Sequence, residues 1–271
     1  MPALNGLRVA LLESRLSGEL AALVRRFGGV PSATPAMREA QRLETISLFI
    51  EALTAGRYSI VIVLTGAGVT AFFTEAERLG CLDGVLAALR ATTVVCRGPK
   101  PLAVLRRHDV PVHVRAVEPY TTSELLDALS RIDIDGKEVA LLHYGEPNVA
   151  LADALKARGA RLGEWLLYEW LLPEDRTPLE AMIHDLIGAR VDAIAFTSQV
   201  QCRFLFDVAA DMGRHDDLAR ALNDHTIVAV IGPVCAAALR AKGVDSDVIP
   251  VHPKMGSLIA ALAAHVESSD R

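Results

Sequence analysis

The chain has 271 residues, 51% of them hydrophobic and 5% aromatic, which is enough apolar material for two cores in domains of roughly 130 residues each. A net charge of −5 and the lack of a basic stripe with interleaved aromatic residues argue against nucleic acid as the main partner. No apolar run approaches the roughly 18 residues of a membrane span, and the N-terminus has no signal-like apolar core, so we expect a cytoplasmic protein without a membrane partner.

Short apolar runs alternate with amphipathic segments, as is typical of parallel strands that helices cover on both faces. In chain order, the predicted strands are Leu7–Leu12, Ser59–Leu64, Thr92–Cys96, Pro111–Val114, Val139–His143, Leu162–Tyr168, Ala193–Phe196, Ile227–Ile231 and Asp247–Ile249. The predicted helices are Glu19–Phe27, Glu44–Ala55, Thr70–Leu79, Ser123–Ser130, Ala150–Arg158, Leu179–Ala189, Gln201–Met212, Pro233–Lys242 and Ser257–Val266. This alternation predicts an α/β fold.

Three short segments recur in the same order in the two halves of the chain. The matched pairs are Val9–Leu12 with Val139–Leu142 at an offset of 130, Leu64–Gly66 with Phe196–Ser198 at an offset of 132, and Gly98–Pro99 with Gly232–Pro233 at an offset of 134. Three collinear matches at a nearly constant offset indicate an internal duplication. Two similar units predict two similar lobes with a ligand-binding cleft between them.

The residues best suited to bind a ligand or react with it lie in turns that follow predicted strands. At the carboxyl ends of parallel strands, helix N-termini present N–H groups and a partial positive charge, which suit anions such as carboxylates. These turns contain Thr65, Gly66, Ala67, Arg97, Gly98, Tyr144, Gly145, Thr197, Ser198 and Gly232. The alternative is that serine and threonine only cap helices and that proline only occupies first turns. Five such turns together favour a binding site.

Tyr168 ends a predicted strand shortly before Pro173. A tyrosine at the mouth of a cleft can donate a proton to a leaving group, although a rim aromatic with its hydroxyl in water is the simpler interpretation. Three cationic side chains could either bind carboxylates or be ordinary solvated charges: Arg15, Arg97 and Lys254.

Sequence motifs of cofactor and metal sites are missing. The chain has no GxGxxG, GxxxxGK[ST] or GxSxG motif, and its eight histidines are scattered. The four cysteines, Cys81, Cys96, Cys202 and Cys235, have no CxxC spacing and are interpreted as reduced packing residues. The sequence therefore predicts neither a bound cofactor nor a metal.

The order and spacing of the turns resemble the uroporphyrinogen-III synthase family. Phe196-Thr197-Ser198 and, about 35 residues later, Ile231-Gly232-Pro233 are similar to the FTS and IGP motifs of that family, and the resemblance runs from about Leu7 to Leu262. It implies two lobes, each a doubly wound, mostly parallel, flavodoxin-like sheet with flanking helices. One lobe would contain residues 1–35 and 172–271, the other residues 38–168, and two crossing strands would join them.

The resemblance also implies an activity. The family cyclises hydroxymethylbilane, a linear tetrapyrrole with eight carboxylates, by removing its terminal hydroxyl and inverting ring D, without metal or cofactor. Tyr168 corresponds to the tyrosine proposed to help the hydroxyl leave. The expected substrate-binding residues are Arg15, Thr65, Gly66, Ala67, Arg97, Gly98, Tyr144, Gly145, Thr197, Ser198, Gly232 and Lys254. We therefore expect a monomeric, cytoplasmic lyase of heme and porphyrin biosynthesis with a small-molecule substrate.

Several positions depart from the family pattern. Gly66 stands where serine is usual, Pro101 and Cys235 stand where threonine often follows the Gly-Pro turns, and the first strand ends Glu13-Ser14-Arg15 rather than Thr-Arg-Pro. Each departure loses a hydrogen-bond donor or alters a turn. Two alternatives stay open: a sensing domain of the same fold that binds an anion without turnover, and a different α/β protein of the periplasmic-binding or nucleotide-handling type.

Overall fold

The computed structural model describes residues 3–269, and these divide into two compact units. Unit 1 contains residues 3–38 and 171–269, and unit 2 contains residues 39–170. Along this part of the chain, every helix is too short or too polar to cross a bilayer.

Strands and helices alternate along much of the chain. The first are β1 (Arg8–Leu11), α1 (Ser17–Arg26), β2 (Val30–Ala33), β3 (Arg38–Gln41), α2 (Leu43–Thr54), β4 (Ile60–Val63), α3 (Gly66–Arg78), α4 (Leu82–Arg90), β5 (Thr93–Cys96), α5 (Pro99–Arg107), β6 (Val114–Arg115) and α6 (Thr122–Leu129). The remainder are β7 (Glu138–Leu142), α7 (Val149–Ala157), β8 (Arg161–Trp165), β9 (Tyr168–Leu171), α8 (Thr177–Ile187), β10 (Ala193–Phe196), α9 (Gln199–Asp211), α10 (His215–Asp224), β11 (Ile227–Val230), α11 (Pro233–Arg240) and α12 (Met255–Ser269).

Unit 2 is built on a parallel five-stranded sheet with the strand order β6-β5-β4-β7-β8. All four residues of its central strand β4 are buried. Val61 and Val63 pack into one apolar cluster, whereas Ile60 and Ile62 pack into another, because successive side chains of a strand point to opposite faces. An uninterrupted apolar run therefore forms a strand that helices cover on both sides.

Unit 1 repeats this construction around a parallel four-stranded sheet with the order β11-β10-β1-β2. In β10, Ala193 and Ala195 face one cluster, and Ile194 and Phe196 face the other. Parallel sheets with flanking helices in both units confirm the predicted α/β fold class. Strands β3 and β9 pair in a separate two-stranded sheet, and both changes of unit along the chain fall within these strands.

The strand registers support the internal repeat and correct one of its offsets. Val9 lies opposite Ala193 in unit 1, and Val139 lies opposite Ile60 in unit 2. With Val9 of β1 matched to Val139 of β7, as the predicted offset of 130 requires, Ile60 corresponds to Ala193. The same pairs relate β4 to β10 at an offset of 133 rather than 132. The structural counterpart of Thr65 is therefore Ser198, and each of these residues caps the following helix.

The sequence interpretation missed two strands and three helices. These are β2, β3, α4, α5 and α10. The predicted strand Leu162–Tyr168 is divided between β8 and β9, Pro111–Val114 overlaps β6 only at Val114, and Asp247–Ile249 forms a single bridge between Ala229 and Val248. Strand β3 reads Arg-Glu-Ala-Gln with no buried residue, so tertiary pairing rather than an apolar pattern determines its conformation.

Candidate functional site

The predicted residues of unit 2 meet at one edge of its sheet. Thr65, Arg97 and Tyr144 follow β4, β5 and β7, which are neighbours in the order β5-β4-β7. Carboxyl ends of adjacent parallel strands share an edge, and ligands of open α/β sheets bind there. The structure thus brings together Thr65, Gly66, Ala67, Arg97, Gly98, Tyr144 and Gly145, with Tyr168 in contact from β9.

Thr65 and Tyr168 form a hydrogen-bonded pair. Thr65 is the N-cap of α3, and its Oγ1 accepts a hydrogen bond from the Gly68 N–H at 3.1 Å. The same oxygen lies 3.1 Å from the hydroxyl of Tyr168, whose side chain is only 2% exposed. Tyr168 is therefore a buried residue anchored to a helix cap, which excludes the simpler interpretation of a rim aromatic with its hydroxyl in water.

An aromatic row extends from this pair. The ring of Trp170 lies edge-on to both Tyr168 and Tyr144, with centroid distances of 6.1 Å and 6.0 Å. The Arg97 guanidinium carbon lies 4.6 Å from the centroid of the Tyr144 ring, a cation–π contact that contributes roughly 0.5–1 kcal/mol where partly exposed. The row holds a positive charge beside the edge of the sheet.

Gly145 has a packing role in this row. Its φ is +60°, which favours glycine, and a Cβ at this position would overlap the indole ring of Trp170. The backbone carbonyl of Gly145 also accepts a hydrogen bond from the backbone N–H of Trp170 at 3.3 Å. Sequence reasoning missed Trp170, because the residue lies in a short strand outside the main sheet.

A buried histidine supports the turn that contains Tyr144 and Gly145. His143 Nδ1 accepts the Asn148 N–H at 3.1 Å, so the neutral ring donates from Nε2 to Glu164 at 3.0 Å. Burial lowers the pKa of His143, although the Glu164 carboxylate opposes this. Lys156 bonds Glu164 at 2.7 Å and is the first cause of the lowered pKa of Glu164. The only sequence signal for this network was a lone histidine at the end of a predicted strand.

A surface cavity of about 220 Å³ opens beside Gly98. Its lining includes Gly98, Pro99, Leu102, Arg115, Glu118 and Tyr120. A Cβ built on Gly98 would lie 3.5 Å from the Tyr120 ring, which is an ordinary contact. The cavity adds an Arg115 guanidinium and a Glu118 carboxylate that sequence reasoning did not single out.

In unit 1, the hydroxyl of Thr197 is engaged within the protein. It donates a hydrogen bond to the Glu13 carboxylate and accepts one from Gln201 Nε2 at 2.8 Å. Gln201 is completely buried, and its Oε1 accepts the Thr197 N–H at 2.8 Å. Because a threonine has a single hydroxyl proton, Thr197 in this arrangement has none for a ligand carboxylate. Glu13 and Gln201 were both missed as partners.

The other predicted residues of unit 1 lie at the ends of the same strands. Ser198 caps α9 by accepting the Val200 N–H at 3.2 Å. Gly232 follows β11, and the nearest neighbour of a Cβ built on it is Pro253 at 3.9 Å, the residue before Lys254. The side chains of Arg15 and Lys254 are exposed.

The departures from the family pattern serve packing. A Cβ on Gly66 would lie 3.1 Å from the backbone carbonyl of Lys100, so glycine lets α3 approach α5 closely. Pro101 is buried in the first turn of α5. The Cys235 thiol lies 3.5 Å from that of Cys202, and both belong to one apolar cluster. Gly66 and Pro101 replace no lost donor, whereas the Cys235 thiol donates a weak hydrogen bond to the Phe196 carbonyl at 3.9 Å.

Comparison with known proteins covers nearly the whole chain. Residues 18–260 match the family described as uroporphyrinogen-III synthase HemD. The chain is 31% identical over 268 residues to the uncharacterized protein YjjA of Bacillus subtilis (strain 168), covering 98% of each chain. It is 30% identical over 253 residues to a Methanothermobacter thermautotrophicus protein provisionally named a uroporphyrinogen-III synthase, covering 91% of this chain and 93% of that one.

Solved structures show the same likeness. A mutant uroporphyrinogen III synthase of Thermus thermophilus is 26% identical, with a TM-score of 0.77 and coverage of 97% of this chain and 100% of that one. The uroporphyrinogen-III synthetase of Helicobacter pylori 26695 is 14% identical, with a TM-score of 0.58 over 98% of this chain and 100% of that one, and shows the shared fold alone. From the family match and these relatives together, we conclude that the chain belongs to the uroporphyrinogen-III synthase family.

Proposed function

We propose that the protein is a uroporphyrinogen-III synthase, a cofactor-independent hydro-lyase that cyclises hydroxymethylbilane with loss of water and inversion of ring D. Family membership supports the reaction class, and the observation that carries the proposal is the 3.1 Å pairing of Tyr168 with Thr65 at the carboxyl edge of the unit 2 sheet. In keeping with the family, we infer a monomeric, cytoplasmic enzyme of tetrapyrrole biosynthesis that uses a free small-molecule substrate.

In the proposed reaction, the terminal C–O bond of the substrate breaks, and the Tyr168 proton leaves with the hydroxyl as water. Hydroxide is a poor leaving group, so proton donation by a phenol lowers the barrier. The remaining pyrrole cation is attacked by the substituted α-carbon of ring D. The bond from that carbon to its original methylene bridge then breaks, and the bridge rejoins ring D at the free α-carbon. The proton lost from that carbon returns to the Tyr168 phenolate, so ring D is inverted and the charges balance. Burial of Tyr168 restricts access of water that would otherwise trap the cation.

The proposed binding of the substrate carboxylates uses positive groups at the same edge. The Arg97 guanidinium lies against the aromatic row, and helices α3 and α5 both begin at this edge. Helix N-termini favour anions through free N–H groups and the helix dipole. Arg15, Ser198, Gly232 and Lys254 remain proposed ligands at the edge of the unit 1 sheet.

The test is an assay in which hydroxymethylbilane is generated in place and the oxidised products are separated into the I and III porphyrin isomers. We expect isomer III to predominate and Tyr168→Phe to lower kcat by at least ~100-fold. Tyr58→Phe is the matched control, because Tyr58 is also a buried tyrosine of unit 2 but bonds Trp165 instead. Isomer I alone, the spontaneous product, from folded wild-type protein would refute the proposal.

A second function is favoured by the Glu13–Thr197 contact. At the edge of the unit 1 sheet, the Glu13 carboxylate accepts the hydrogen bond from the Thr197 hydroxyl. The resemblance assigns that hydroxyl to a substrate carboxylate. A sensing domain that binds the tetrapyrrole without turnover would tolerate this loss. Calorimetric binding of the porphyrinogen together with formation of isomer I alone would support that function and exclude the synthase.

A further inference from the structure

The Thr65 hydroxyl is fixed by the protein backbone. Thr65 has extended φ and ψ angles of −138° and 149°, and its Oγ1 accepts the Gly68 N–H in the first turn of α3. A threonine hydroxyl has two acceptor lone pairs and one proton. With one lone pair used by Gly68, the group that lies 3.1 Å away on the other side is the Tyr168 hydroxyl.

The direction of this hydrogen bond follows from the chemistry proposed for Tyr168. Either hydroxyl can donate while both are protonated, but a phenolate can only accept. After Tyr168 gives up its proton, the bond runs from Thr65 Oγ1–H to the phenolate oxygen. A hydrogen bond to an ionised acceptor is roughly twice as strong as a neutral one, so Thr65 stabilises the proton-depleted state more than the resting state.

Burial increases the importance of the hydrogen bond from Thr65. Tyr168 is 2% exposed and packs against Trp170, and removal from water disfavours a charged phenolate. The chain of donors from Gly68 N–H through Thr65 Oγ1–H to Tyr168 oxygen ends at the N-terminus of a 13-residue helix, where the helix dipole also favours negative charge.

We propose that Thr65 is a positioning residue that acts through Tyr168, holding the phenol in place and stabilising its phenolate, and that it is not a ligand of a substrate carboxylate. The catalytic meaning of this inference rests on the proposed function. Its physical content, a hydrogen bond that favours the phenolate, does not depend on turnover.

The experiment follows the ionisation of Tyr168 without substrate. Tyrosines are replaced by 3,5-difluorotyrosine, whose more acidic phenol titrates below the pH of alkaline unfolding, and each signal is followed by ¹⁹F NMR. Tyr168→Phe assigns the signal by its loss. We expect Thr65→Val, which keeps the shape but removes the hydroxyl, to raise the titration midpoint of the Tyr168 signal by about one pH unit, and Thr65→Ser to restore it.

Ser198→Ala is the matched control, because it removes the corresponding helix cap of unit 1 and a comparable amount of stability. It should leave the Tyr168 signal unchanged. An unchanged midpoint in Thr65→Val would overturn the proposal. If Thr65→Val did not fold, Thr65→Ala with the same ¹⁹F readout and the Thr65→Ser rescue would decide.

Kinetics separate the two roles of Thr65 if the protein is active. A positioning residue predicts a lower kcat with KM unchanged in Thr65→Val, whereas loss of a carboxylate ligand predicts a raised KM and an unmoved Tyr168 signal. If wild-type protein made isomer I alone, the synthase proposal would fail while the ¹⁹F titration still tested the Thr65–Tyr168 bond.

Discussion

Gly145 and Trp170 constrain each other within unit 2. Gly145 has a φ of +60° and no room for a Cβ beside the indole ring. Gly136 has a nearly equal φ of +62°, but a Cβ there would meet nothing within 4 Å. Alanine substitutions at Gly145 and Gly136 therefore distinguish the cost of backbone strain from the cost of a steric clash, because the two glycines have nearly the same φ.

We expect Gly136→Ala to cost about 1 kcal/mol, the usual strain of alanine in the left-handed region. Gly145→Ala should cost about 2 kcal/mol more, since overpacking adds its own penalty, and it should change the fluorescence of Trp170. Urea unfolding and emission spectra of both variants provide the measurement. Equal costs would show that Trp170 moves aside without penalty.

The buried His143 makes stability depend on pH. Because burial lowers its pKa in the folded protein, the unfolded chain binds more protons as the pH falls below about 6.5, the value of an unperturbed histidine. The contribution of His143 is therefore fully present above pH 6.5 and is lost as the pH falls through its lowered pKa.

We expect the free energy of unfolding to decrease between pH 7 and pH 5.5, and His143→Gln to remove most of that slope. Protonation of Glu164, whose pKa is also lowered, affects a separate window below about pH 4.3. Urea titrations at several pH values measure both. A slope that persists in His143→Gln would assign the pH dependence to other groups.

Part of the candidate site could be predicted from the sequence. Thr65 and Tyr168 follow strand-like runs and match a family pattern, and the structure places their hydroxyls 3.1 Å apart. Glu13 could not be found this way, because its hydrogen-bond partner Thr197 is 184 residues distant along the chain. Contacts made across a sheet edge depend on strand order, which local patterns do not contain.

At the scale of elements, α3 and α5 approach closely at Gly66. We expect Gly66→Ser, which restores the residue usual in the family, to cost about 1–2 kcal/mol because its Cβ would press on the Lys100 carbonyl at 3.1 Å. Gly18→Ser in α1 is the matched control, since nothing lies within 4 Å of a Cβ there and serine is a better helix former than glycine. Thermal unfolding of both variants gives the comparison, and a neutral Gly66→Ser would contradict the packing role.

The buried central strands were predicted well, whereas several helices were missed. Strand β10 matches its predicted bounds because all four residues are buried. Helix α10 reads His-Asp-Asp-Leu-Ala-Arg-Ala-Leu-Asn-Asp and buries Leu218, Ala221 and Leu222 among mostly polar residues. Apolar burial alone does not decide the outcome, because α4, which buries Val85, Leu86 and Leu89, was also missed.

At the scale of the molecule, each unit has apolar clusters on both faces of its own sheet. The clusters of unit 2 contain only residues between Ile46 and Leu167, one continuous stretch of chain. Unit 1 instead takes β1 and β2 from the beginning of the chain and β10 and β11 from the end. We propose that residues 39–170 form an independently folding domain.

A fragment of residues 39–170 should unfold cooperatively in urea and give dispersed amide signals, because its sheet and both covering layers are complete. A fragment of residues 171–269 should not, since it lacks β1 and β2, which make up half of its sheet. Amide dispersion and unfolding curves of the two fragments test this. A folded 171–269 fragment, or an unfolded 39–170 fragment, would contradict the proposed division.

The correspondence of β1 with β7 has a consequence for protein engineering. In unit 2, the strands that match β1 and β2 come last, whereas in unit 1 they come first. A circular permutant of unit 1 that begins at residue 171, runs to residue 269, and continues through a linker to residues 3–38 would have the connectivity of unit 2. No strand would change its neighbours, and Leu4 and Val266 already share one cluster. The discontinuous unit can thus be made as a single uninterrupted polypeptide.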